Sequence, residues 1–99
     1  MNTDLLKDFV ESIVKELVDF KDEVRVDLSV STKTILMQIK TNKGDVGKVI
    51  GKKGRTIEAI KVISLAAKNT RFPGDSKGVT VEVLEDENSG FNRPIKKMF

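Results

Sequence analysis

An α+β two-layer sandwich, a three-stranded sheet covered on one face by helices, is the fold class that this 99-residue sequence predicts. Three observations predict it. Apolar residues recur at three- and four-residue spacing near the N-terminus, which is the period of a helix with one buried face. Three short stretches alternate apolar and polar residues, which is the period of a strand with one buried face. Between the second and third of these lies a second helical stretch, opened by the glycine-bracketed run GKKG. A chain of this length forms one domain and buries roughly 65% of its unfolded surface.

The first helix is expected over Thr3 to Phe20, with Leu5, Leu6, Phe9, Val10, Ile13, Val14, Leu17 and Val18 on one side and Lys7, Asp8, Glu11, Lys15 and Glu16 on the other. Thr3 or Asn2 can cap it. Val24, Val26, Leu28 and Val30 predict the first strand, and Ile35, Met37 and Ile39, after a short turn at Ser31 to Lys33, predict its hairpin partner. TNKG at Thr41 to Gly44 has turn chemistry, and Asp45 can cap a helical turn from Val46 to Ile50. The second long helix runs from Arg55 to about Asn69. Its apolar residues exceed a single stripe, so it is either buried between sheet and loops or packed in part on another subunit. NTRFPGDSKG then breaks the helix, and Val79, Val81 and Val83 predict the last strand. EDENSGFNRPIKKMF has no periodicity, so residues 1–84 are read as the domain and 85–99 as a flexible tail.

Composition narrows the function. Cysteine and histidine are absent, which removes thiol catalysis, Ser-His-Asp chemistry and metal sites built on those ligands. No catalytic residue, metal or cofactor is expected. The apolar runs are too short to span a membrane, and the acidic N-terminal helix does not read as a signal peptide, so a cytoplasmic location is expected.

The net charge of +3 hides an asymmetry. Met1 to Glu23 holds three lysines against seven acids, whereas Lys40 to Arg55 holds five lysines and an arginine against Asp45 alone. The basic stretch is centred on Gly51-Lys52-Lys53-Gly54. Glycines there let the backbone turn tightly and approach a ligand, and the helix that follows points its free N–H groups and positive dipole end at the same place. That combination favours phosphate, and a basic patch steers an anionic polymer towards it. The spacing does not fit a Walker loop or a dinucleotide fingerprint, because Lys53 stands where those need Ser or Thr, or glycine.

The run Val49-Ile50-Gly51-Lys52-Lys53-Gly54-Arg55-Thr56-Ile57 resembles the VIGxxGxxI signature of the KH domain. With a helix and a strand ahead of the core, the order α-β-β-α-α-β is similar to the type II KH arrangement. FVESIVKELVDF followed by VRV, together with DVGKVIGKKGRTIEAIKVI, resembles the small bacterial single-domain KH proteins of the KhpA or YlqC type, over roughly Leu5 to Leu84.

The resemblance implies single-stranded RNA as ligand, about four nucleotides held in a groove, with the GxxG loop clamping the backbone. Carried onto this chain, it implies RNA-binding roles for Lys48, Val49, Ile50, Gly51, Lys52, Lys53, Gly54 and Arg55, and a groove lined by Met37, Ile39 and Ile57. It further implies self-association and pairing with a larger KH-containing partner of the KhpB, Jag or EloR type; the excess apolar surface of the second long helix is compatible with a dimer through Ile60, Ile63 or Ser64. An RNA-chaperone role in post-transcriptional control, cell elongation and division is implied with it. The chain has no Trp or Tyr and no Phe in the basic stretch, so a stacking platform is missing and low sequence specificity is expected. The alternative is a dimerising scaffold in which RNA binding is incidental.

Overall fold

A computed structural model describes residues 1–85 and the strand 94–98. The helices are α1 (Asp4–Lys15), α2 (Val46–Ile50) and α3 (Arg55–Arg71), and the strands are β1 (Arg25–Val30), β2 (Thr34–Thr41), β3 (Gly78–Glu85) and β4 (Pro94–Met98). The four strands form one sheet in the order β1-β2-β3-β4. β1 and β2 pair antiparallel as the expected hairpin, β2 and β3 pair parallel, and β4 pairs antiparallel with β3.

The α+β class and the helix-strand order are those the periodicities predict. The fourth strand is an addition to the three expected, within a stretch expected to be a flexible tail; residues 86–93 and 99 of that stretch lie outside the described residues. Pro94, Ile95, Lys96, Lys97 and Met98 show no clean alternation, so the pairing with the edge of β3 leaves no pattern to read.

Alternation built the core. Val26 of β1, Ile35, Met37 and Ile39 of β2, and Val79, Val81 and Val83 of β3 all turn to the same face and are buried. Leu6, Val10 and Val14 of α1, four residues apart, cover that face together with Val49 of α2 and Ile57 and Ile60 of α3. Each such side chain contributes roughly 1.5–3 kcal/mol by leaving water. Because β2 and β3 run parallel, α3 must carry the chain back between them. This sets the start of α3, and the glycine loop before it, at the C-terminal end of both strands.

Two local expectations are corrected. First, α1 stops at Lys15 instead of Phe20. Its last turn tightens, with Glu16 N donating to Ile13 O at 3.1 Å and Leu17 N to Val14 O at 2.9 Å, and the Lys21 ammonium donates to the Lys15 and Val18 carbonyls, both at 2.9 Å. Second, Asp45 does not cap α2. Its carboxylate is turned to the exit of α1, where the amides of Asp19 and Phe20 donate to it at 3.2 and 3.0 Å. These bonds fix the non-helical path of Asp19 and Phe20, which is why the apolar period of α1 outlasts its helix. Asn42 does the capping one turn earlier, accepting from Gly44 N at 2.8 Å while its amide donates to the Glu23 carboxylate.

Candidate nucleic-acid interface

The glycine loop is a left-handed turn between two helices. Gly51 closes α2, donating its N–H to Gly47 O at 2.8 Å, and has φ 78°. Lys52–Gly54 then form one 3₁₀ turn, closed by Gly54 N donating to Gly51 O at 3.1 Å. Lys53 (φ 58°) and Gly54 (φ 73°) both adopt the left-handed conformation. For lysine that costs about 1–2 kcal/mol, so the turn holds the Lys53 side chain in a place that the local chain would not choose. Gly54 is the N-cap residue of α3 and supplies no side-chain cap, so the 17-residue helix opens with amides that no side chain satisfies.

Charge at the loop is divided between paired and unpaired cations. Lys40 is 3.6 Å from Asp27 across the hairpin. Lys48 is held by Asp19 and, at 3.3 Å, by Asp45. Lys43, Lys52, Lys53 and Arg55 are exposed and form no ion pair among the described residues. Three of these four are consecutive with the glycines, so the unpaired positive charge converges on the GKKG turn and the first residue of α3.

Asp45 organises the base of this surface. Burial, at 1% exposure, pushes its carboxyl up, but the Phe20 and Asp19 amides and Lys48 together outweigh burial and leave it below the ordinary aspartate value. The Lys48 ammonium is raised, chiefly by its hydrogen bond to Asp19, against the opposing effect of desolvation and with help from Asp45.

The aliphatic residues expected beside the loop separate into two groups. Ile50 is half-buried at the surface next to Gly51. Val49, Met37, Ile39 and Ile57 are fully buried, so Val49 supports the loop from beneath and the other three belong to the core; the expected groove role of Met37, Ile39 and Ile57 is corrected on that ground. Their inward direction follows from the same alternation that predicts β2 and from the position of Ile57 on the core side of α3.

The expected association surface is also redrawn. Ile60 and Ser64 are buried, at 2% and 0% exposure, on the side of α3 turned into the domain, whereas Ile63 is 46% exposed. The outward face of α3 instead carries Ala59, Val62, Ile63 and Ala66, one stripe at i, i+3, i+4 and i+7. Beside it, Ile13 and Leu17 complete an open apolar groove of about 650 Å³ that reaches Thr56 at the start of α3. That spacing was present in the sequence, but the inward and outward apolar residues of α3 could not be told apart without the sheet beneath them.

Sequence reading also missed Lys68, which is buried in α3 and donates to Asp75 O at 2.9 Å, with the Asp75 carboxylate 3.5 Å away. This contact ties the end of α3 to the connection leading into β3. Among the described residues, no helix is long and apolar enough to cross a membrane.

A family model described as "KhpA/KhpB, KH domain" matches residues 7–88. The chain is 39% identical over 84 residues to a protein of Chlamydia caviae named RNA-binding protein KhpA, covering 83% of this chain and all of that one. A protein of the same name from Aquifex aeolicus is 42% identical over 80 residues, 81% of this chain and 96% of the relative. The Clostridium acetobutylicum protein of that name is 38% identical over 79 residues, 80% of this chain and all of the relative. No solved structure gives a significant match.

Proposed function

Since the chain belongs to the KhpA/KhpB KH-domain family, we propose that it is a non-catalytic, single-stranded RNA-binding protein that grips the phosphate backbone with its GKKG turn. The observation that carries this reading is the convergence of Lys52, Lys53 and Arg55, exposed and without an ion pair among the described residues, on a left-handed turn at the start of a 17-residue helix that has no side-chain cap. Backbone amides and the helix dipole favour an anion there, and the cations supply the salt-sensitive part of the affinity. Lys48 flanks the turn, Ile50 offers an aliphatic surface to a base, and Val49 holds the turn on the core. Gly51 and Gly54 permit its shape.

Specificity is low in this reading. Affinity comes mainly from phosphate contacts, which carry no sequence information; the turn has no aromatic platform, and in this reading its long side chains, Lys52, Lys53 and Arg55, are cations engaged by phosphate. A sequence-tolerant cytoplasmic RNA chaperone, acting in control of cell shape and cell-wall organisation, fits a binder of this kind.

A second surface supports association. The Ala59, Val62, Ile63 and Ala66 stripe with its groove is an apolar face for a second copy or for a larger KH-containing partner of the KhpB type. Pairing two loops in one particle raises avidity without new contacts to RNA. In the competing reading this face is the whole function and RNA is incidental.

Fluorescence anisotropy of a labelled single-stranded oligouridylate at several salt concentrations separates the two. The expected result is salt-dependent binding by the wild type and its loss in a folded Lys52→Asp/Lys53→Asp variant. Equal binding by both proteins, or none by either, decides for the scaffold.

A further inference from the structure

Lys48 is the cation of the basic stretch whose ammonium is already shared between two carboxylates of very different standing. Asp45 is buried, is held by the Asp19 and Phe20 amides, and accepts from Lys48 at 3.3 Å. Asp19 lies on the turn after α1, its side chain is 72% exposed, and its contact with Lys48 is the closer of the two. An exposed ion pair contributes little, because water and salt screen it and two side chains must be ordered to make it. The Asp45 half of the arrangement is therefore fixed by burial, and the Asp19 half is replaceable by another anion.

Lys48 lies in α2 one turn before Gly51, and Gly51 N is bonded to Gly47 O, so the helix that carries Lys48 runs directly into the glycine turn. An RNA strand held by Lys52, Lys53 and Arg55 would bring phosphates to the neighbourhood of this ammonium. Resting on the RNA reading above, we infer that Asp19 is an affinity-setting residue that competes with the RNA phosphate for Lys48. Asp45 keeps the ammonium oriented in both situations. The exposed carboxylate holds back one phosphate contact of the site, which lowers affinity for every sequence alike.

The test is a double-mutant cycle read by anisotropy of the same labelled oligouridylate across a salt series. Asp19→Asn keeps the backbone N–H that Asp45 accepts from and removes only an exposed charge. It is expected to lower Kd roughly twofold to fivefold, the scale of one exposed ion pair, and to steepen the dependence of log K on log salt by about 0.7, the value of one phosphate contact in single strands. In a Lys48→Gln background the same exchange is expected to change neither quantity. Asp22→Asn, an exposed acid on the same connection with no bond to Lys48, serves as the control for the general field.

If Asp19→Asn has no effect, or tightens binding equally with Gln at position 48, or acts no differently from Asp22→Asn, the inference is overturned. If the wild type binds and Lys52→Asp/Lys53→Asp abolishes binding while Asp19→Asn does nothing, only this inference falls. If the wild type does not bind at the lowest salt, the RNA reading falls and takes the inference with it.

Discussion

Gly51 and Thr56 meet across the GKKG turn: a Cβ placed on Gly51 would stand 2.6 Å from the Thr56 Cβ and 2.9 Å from the Thr56 N, and would overlap the Thr56 hydroxyl. The glycine is therefore required by the turn's own packing as well as by its φ of 78°, and ligand approach is not the only reason for it. Gly51→Ala should lower stability by about 2–6 kcal/mol, the sum of strain in a backbone region (φ 78°, ψ 172°) that essentially only glycine adopts and of overpacking. Gly47→Ala, four residues earlier on an exposed turn of α2 where a Cβ meets nothing within 4 Å, should instead raise stability by up to about 1 kcal/mol. Urea denaturation of the two variants checks the contrast.

Among the described residues, Lys53 is the non-glycine residue in the left-handed region, whereas Lys52 next to it is not. Lys53→Gly should relieve that strain and raise stability by about 0.5–1 kcal/mol while weakening RNA binding, because a cation is lost. Lys52→Gly should weaken binding as well but lose stability. Thermal melting beside a binding isotherm measures both effects, and a gain in melting temperature for Lys52→Gly equal to that for Lys53→Gly would contradict this account.

Asp45 predicts an acid limb. Its folded pKa lies below the unfolded value, so its contribution to stability is present above about pH 4 and is lost as pH falls through the folded value. Asp45→Asn removes the charge that the two amides and Lys48 satisfy and should cost about 1.5–3 kcal/mol at neutral pH. The variant's stability should then change less than the wild type's when urea midpoints are compared between about pH 6 and about pH 3.

On α3, neighbouring substitutions should have opposite characters. Val62→Asp and Ile63→Asp lie on the exposed stripe and should leave the domain folded, and the association proposed through this stripe predicts that sedimentation finds both variants monomeric where the wild type is paired. Ile60→Asp places a charge in the core and should unfold the domain. A folded, monomeric Ile60→Asp protein would overturn this division of the helix.

What the sequence made legible follows from period. β2 declares its face through Ile35, Met37 and Ile39 because strict alternation admits one buried side, and the loop declares itself through the glycines around Lys52 and Lys53. Other features depend on contacts far away in the chain. Asp45 looks like a helix cap locally and becomes the anchor of residues 19 and 20 only when the sheet brings them together. Ile60 and Ile63 are equally apolar, and only the packing of α3 on the sheet and α1 decides which is covered. β4 adds to an edge that carries no mark of its own in the sequence.

The parallel pairing of β2 with β3 also governs how the molecule is made. Thr34 and Gly78 are neighbours in the sheet and 44 residues apart in the chain. Closing so long a loop is entropically costly, so the β1–β2 hairpin can form early whereas the central pair must wait. During synthesis α2, the basic turn and α3 leave the ribosome before β3, and their buried faces have only part of a floor to pack on. The basic turn is thus encoded in the middle of the chain but gains its full support late, in the step that seats β3.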